Sequence, residues 1–226
     1  MIRASESPRR SPSETTKTTS APPRAGLTVE REGGSHRELG LVRPAVLALQ
    51  GSVEPHLQRL EALGFAATSV RRPQQLAAVT HLILPGGEST TIHLLLTRFG
   101  LWDAIADRAR AGSLAIFGTC AGAILMGRAS DERPPRWGLL DIDVRRNAYG
   151  RQVDSFECEL ELAPPIGPVR GVFIRAPQMA DPGPRVQILG ELDGSPVLVR
   201  QDRLLAATFH PELTDSLRVH EYFLGL

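Results

Sequence analysis

Lysine is nearly absent. Lys17 is the only one in 226 residues, and every other basic residue is arginine. This reads as a compositional bias, because neither sign of charge is in surplus. Lysine and arginine total 26 against 25 aspartates and glutamates, a formal net charge of +1. No global field therefore favours nucleic acid or an anionic membrane. Cysteine is equally scarce. Cys120 and Cys158 cannot build a disulfide framework, which excludes a disulfide-stapled mini-protein and suits a reducing, cytoplasmic setting. A membrane span is also missing. The longest uncharged stretch, Ala111 to Gly127, is interrupted by Gly112, Gly118 and Gly122 and falls short of the ~20 apolar residues a span requires. The N-terminus has no apolar core of a signal peptide.

What remains is an ordinary globular composition, 42% hydrophobic and 23% charged, in a chain long enough for one domain and a tail. Residues 1–40 are rich in Ser, Thr, Pro, Arg and Glu. Such a segment buries too little apolar surface to offset its ordering entropy, and a disordered extension is expected. Arginine and serine would suit a transit peptide, but five glutamates speak against one.

From Ala45 the texture changes. Short apolar runs (46–49, 66–70, 81–84, 114–117) alternate with stretches of helical spacing (55–63, 73–79, 89–99, 101–111, and one after Gly118 running through Met126). Strands alternating with helices predict a parallel sheet covered on both faces. The second half is richer in strands, at 158–162, 169–174, 186–189, 197–199 and 204–209, before a closing helix over 214–224. The expected whole is one α/β domain over 44–226, with some antiparallel strands added.

The strongest chemical signal is Gly118-Thr119-Cys120-Ala121-Gly122, where a strand meets a helix. Glycine-x-nucleophile-x-glycine at such a junction is the pattern of a nucleophile elbow. The glycines permit a sharp turn, and the amides at the helix start favour an anion beside the sulfur. The same five residues also fit a buried structural cysteine in a tight turn. Cys158 has no such flanks, and a structural role is expected.

A thiol nucleophile needs a base. Among six histidines, His36 lies in the tail, His81 starts a strand, and His56, His93 and His220 sit in helical stretches as surface or packing residues. His210 differs: it ends an apolar strand and precedes Pro211-Glu212. With the chain extended there, His210 and Glu212 would share a side. The carboxylate could then orient the imidazole, the logic of a catalytic triad. A third signal, Pro85-Gly86-Gly87-Glu88-Ser89-Thr90, follows a buried strand. Its backbone amides could hold an oxyanion or a carboxylate.

In this order the three pieces resemble the class I (triad) glutamine amidotransferases. Longer stretches narrow the resemblance to the glutaminase subunits of pyridoxal 5'-phosphate synthase. They are Leu49-Gln50-Gly51, Leu84 to Thr91, Phe117 to Gly122, Arg146 to Phe156, Val172 to Pro177 and Phe209 to Thr214. The resemblance implies a flavodoxin-like three-layer sandwich with a mostly parallel central sheet. It implies hydrolysis of L-glutamine to glutamate and ammonia by Cys120, His210 and Glu212 through a glutamyl thioester. Glutamine would be contacted by Gly87, Glu88, Ser89, Arg146, Ile174 and Arg175, with oxyanion donors at Gly87 and Ala121. No metal or cofactor is implied. The implied partner is a synthase (lyase) subunit, a (β/α)8 barrel in a ring oligomer, which would join the ammonia to ribose 5-phosphate and glyceraldehyde 3-phosphate. Two departures stand out: the 1–40 extension has no counterpart, and Pro55 sits where the family has a polar residue.

Overall fold

The computed structural model describes residues 42–128, 133–146 and 155–226. The expected disorder of residues 1–40 and the stretch 147–154 lie outside them. A seven-stranded sheet runs in the order β2-β1-β3-β4-β11-β10-β9. Its strands are β1 (Pro44–Leu47), β2 (Thr68–Val70), β3 (His81–Leu84), β4 (Ala115–Thr119), β9 (Gln187–Leu192), β10 (Ser195–Gln201) and β11 (Leu204–Ala207). The pairs among β2, β1, β3, β4 and β11 are parallel, whereas β10 and β9 extend the sheet antiparallel. This is the expected α/β sandwich.

Alternation along the buried strands builds two cores. Ala45, Leu47, Leu82, Leu84 and Ile116 face one side, with Ile92, Leu96 and Ile105 of helices α3 (Ser89–Arg98) and α4 (Leu101–Arg110). Val46, Ile83, Ala115 and Phe117 face the other, with Leu60 of α1 (Val53–Ala62) and Val219 and Phe223 of α6 (Arg218–Leu224). Strands buried on both faces read as continuous apolar runs, which is why β1, β3 and β4 are legible as such. The short helices α2 (Pro73–Leu76) and α5 (Ala121–Met126) complete the six α-helices among the described residues.

Two small antiparallel pairs lie outside the main sheet: β6 (Phe156–Leu162) with β7 (Gly167–Phe173), and β5 (Asp143–Arg145) with β8 (Gln178–Ala180). The second pair has three-residue strands without marked alternation, and no sequence signal announces it. Three expectations need correcting. The second helix stops at Leu76 instead of Val79. The closing helix begins at Arg218, since Pro211–Leu213 forms a separate 3-10 turn. The chain after His210 is therefore not extended. Proline fixes φ near −65°, which suits the first residue of a helical turn, while His210 before it stays outside the helical region at φ −109° and ψ 84°, as a residue preceding proline should.

Leu82 is fully buried in the central sheet. Leu82→Ala should destabilise the fold by about 2–5 kcal/mol, read as a lower denaturant midpoint at unchanged m-value.

Candidate active site

Strands β4 and β11 are parallel neighbours, with Thr119 opposite Ala207. The Cys120 N–H donates to the Ala207 carbonyl at 2.9 Å. Cys120 and His210 thus leave the same edge of the sheet, at the carboxyl ends of adjacent strands, where ligands of open α/β sheets bind. Cys120 takes φ 47° and ψ −101°, a conformation costing on the order of 1–3 kcal/mol that surrounding structure must hold. Close packing of Gly122 helps to hold it: a Cβ there would overlap the Leu84 carbonyl. The turn forces the sulfur up from the strand end, as a nucleophile elbow requires.

His210 donates its backbone N–H to the Val172 carbonyl at 2.8 Å, tying the end of β11 to β7. Its Nδ1 lies 2.8 Å from Glu212 Oε1. The 3-10 turn, not an extended strand, delivers this pairing. Both side chains are almost completely buried. Burial alone disfavours the charged ring. Hydrogen bonds with Cys120 and Glu212, and the negative charge on both, overcome this and push the His210 pKa up to about 10. The imidazole is therefore held protonated at neutral pH, between a sulfur and a carboxylate. Gly86 completes the approach, since a Cβ there would strike the His210 ring. Cys120 is only 8% exposed.

The Gly86–Thr91 loop is held from both ends. Gln50 Oε1 accepts the Glu88 N–H at 2.9 Å, and the Gly86 carbonyl accepts the Ser52 N–H at 3.0 Å. The Glu88 carboxylate caps α3, accepting the Thr90 and Thr91 N–H groups at 3.2 and 2.7 Å. Partial burial opposes its charge, but these amide and hydroxyl donors prevail and bring its pKa down to about 2. Arg146 Nη2 pairs with Glu88 Oε1 at 2.9 Å. Ser89 is buried, and its Oγ has no hydrogen-bond partner among the described residues. Gly87 is exposed, Ile174 is half-buried, and Arg175 is exposed with φ 45°.

The structure thus brings Cys120, His210 and Glu212 together and gathers Gly87, Glu88, Ser89 and Arg146 into one loop-centred cluster. Among the described residues, no group of three or more His, Cys, Asp or Glu side chains could hold a metal ion, and no helix is long and apolar enough to cross a membrane. A cavity lined by Arg110, Leu114, Arg185 and Arg203 opens at the opposite edge of the sheet and contains none of the triad.

Of the histidines expected as surface or packing residues, His56 and His220 prove to be packed in the interior. His56 and His220 are each 0% exposed, with His56 Nδ1 2.9 Å from His220 Nε2. The available signal was helical spacing: His56 precedes Leu60 by four residues, and His220 precedes Phe223 by three. Both therefore lie on the apolar stripe of their helix.

Residues 46–225 match the SNO glutamine amidotransferase family, and the chain belongs to it. Among curated relatives, pyridoxal 5'-phosphate synthase subunit PdxT of Carboxydothermus hydrogenoformans is 50% identical over 182 residues, covering 79% of this chain and 94% of the relative. PdxT of Thermus thermophilus is 51% identical over 183 residues, covering 80% and 95%. A solved structure described as a glutamine amidotransferase superposes with a TM-score of 0.77 at 48% identity, covering 80% of this chain and 97% of that one.

The buried histidines carry a pH consequence. Burial, followed by the positive field of nearby basic groups, lowers the pKa of His56 well below 6.5 and that of His220 to about 3. Unfolding releases both to bind protons near pH 6.5. Their contribution is present above that pH and is lost as the pH falls towards 3. Melting temperature should therefore decline below pH 6.5, and His220→Phe should flatten that decline.

Proposed function

We propose that this chain is the glutaminase subunit of a pyridoxal 5'-phosphate synthase, with Cys120 as nucleophile, His210 as acid and base, and Glu212 as its orienting carboxylate. The observation that carries the assignment is the His210 imidazole, 2.8 Å from Glu212 Oε1 and near enough to Cys120 for the two to influence each other electrostatically. The family and the PdxT relatives supply the reaction class.

The chemistry follows from these groups. The Cys120 sulfur attacks the side-chain amide carbon of glutamine, and the carbonyl oxygen becomes an oxyanion. Backbone N–H groups of Gly87 and Ala121 are the proposed donors to it; one such donor is typically worth about 10²–10³ in rate. The C–N bond then breaks, and His210 passes its proton to the departing nitrogen, releasing ammonia. A water molecule, deprotonated by His210, attacks the glutamyl thioester; the C–S bond breaks, the new carboxyl group loses its proton to solvent as glutamate leaves, and the sulfur is freed beside the reprotonated imidazole. Glu212 holds the ring in orientation and stabilises the imidazolium.

Substrate recognition is assigned to Gly87, Glu88, Ser89, Arg146, Ile174 and Arg175. A guanidinium can pair with the α-carboxylate of glutamine through two N–H groups. Glu88, committed to capping α3, would act by fixing Arg146. Ammonia is mostly protonated in neutral water and must reach its acceptor shielded. The proposed recipient is a (β/α)8-barrel lyase subunit in a ring oligomer, acting on ribose 5-phosphate and glyceraldehyde 3-phosphate. Two free cysteines are consistent with a reducing compartment, the cytoplasm.

The test is glutamate release from glutamine by the purified chain, with and without the synthase subunit. Cys120→Ala should abolish it, and His210→Ala should lower it by about 10³-fold or more. Turnover retained by Cys120→Ala would overturn the assignment.

A further inference from the structure

A buried chain of side chains stands behind the triad. Glu212 uses Oε1 for His210, whereas Oε2 is buried without a hydrogen-bond partner among the described residues. Facing that oxygen at 3.5 Å is His56 Nε2. The same nitrogen lies 3.3 Å from the hydroxyl of Thr119, the residue before Cys120. On its far side His56 meets His220, which α6 contributes. Both rings pack edge-on against Phe117 of β4. Two imidazoles in an apolar layer are an expensive choice, since polar groups lose hydration on burial. Leucine at either position would fill the layer without that cost.

The proton positions follow from the unpaired atoms. Both rings are neutral, because burial lowers both pKa values. If His56 carried its proton on Nδ1, it would donate to His220 Nε2. The proton of His220 would then sit on its Nδ1, which is buried and unpartnered. The His56 Nε2 lone pair would also face a carboxylate oxygen. An orphaned N–H is rarer in folded proteins than an orphaned acceptor, and two lone pairs repel. The opposite arrangement leaves only one acceptor unpaired: His220 Nε2–H donates to His56 Nδ1, and His56 Nε2–H points at Glu212 Oε2 and Thr119 Oγ1.

We propose that His56, held in one tautomer by His220, is a positioning residue that directs its Nε2–H at Glu212 and so fixes the carboxylate that aligns His210. This rests on the triad assignment above. The 3.5 Å separation is long for a hydrogen bond, and catalytic contacts of this kind tighten when substrate binds. Through Thr119 the same ring touches the elbow, so one side chain registers the nucleophile strand against the orienting carboxylate.

The experiment measures glutamine hydrolysis by the chain together with its synthase subunit. His56→Leu should lower kcat by about 10- to 100-fold, the worth of a hydrogen bond to a charged group, with KM changed little. His56→Gln, which returns an N–H near the Nε2 position, should recover most of the loss. In a Glu212→Gln background, His56→Leu should cost little more, because both changes break one chain of contacts. A merely structural histidine would give independent losses and no rescue by glutamine. Long-range 1H–15N spectra of the unmutated chain should show His56 protonated on Nε2; protonation on Nδ1 overturns the proposal even if the leucine variant fails to fold. Wild-type kcat in His56→Leu also overturns it. Activity retained by Cys120→Ala in the same assay would instead remove the triad assignment itself.

Discussion

The parallel pairing of β4 with β11 is the constraint on which the site depends. It is a backbone contact between two strands far apart in sequence, with Ala207 opposite Thr119 and a hydrogen bond from Cys120 N–H to Ala207 carbonyl. Everything chemical lies beyond the ends of those strands. The elbow turns the sulfur upward at one end, and Pro211 folds the chain back at the other. Both strands are buried on both faces, so their relative position is set by the two cores and not by the site. The domain supplies a stiff frame, and short turns at its rim carry reactivity.

Electrostatics at the rim follow from where water is excluded. His210 and Glu88 show opposite solutions. His210 is buried, and it remains charged only because sulfur and carboxylate flank it. Glu88 is largely exposed, and it stays ionised to about pH 2 because helix-start amides and Thr91 donate to it. The first arrangement holds a proton ready for transfer. The second keeps a loop anchored whatever the pH of the surroundings, and with it the arginine that leans on the carboxylate.

Much of this was legible in the sequence. The elbow glycines, the apolar runs of β1, β3 and β4, and His210-Pro211-Glu212 carry their meaning locally, over a few consecutive residues. The parallel pairing of the first strands follows from their alternation with helices. What escaped was mostly non-local. His56 and His220 are 164 positions apart, and nothing in either segment says that their rings meet over Phe117. Their burial was nonetheless inferable, since each occupies the apolar stripe of its own helix. The β5–β8 pair failed for a different reason: three-residue strands carry too few side chains to display a period. At Pro211 the helical preference of proline starts a 3-10 turn directly after a non-helical His210, and the turn delivers Glu212 to the imidazole.

The register of β11 against β4 has a consequence for how such a domain can diverge. Each step along a strand advances the chain by about 3.3 Å and sends the next side chain to the opposite face. Loss or gain of one residue within Leu204–Ala207 would carry His210 away from the sulfur and reverse its orientation, whereas exchanging Leu205 for another aliphatic residue would leave both in place. Indels in this short segment are therefore far less tolerable than replacements, and length variation among descendants belongs in the connections at the other edge of the sheet.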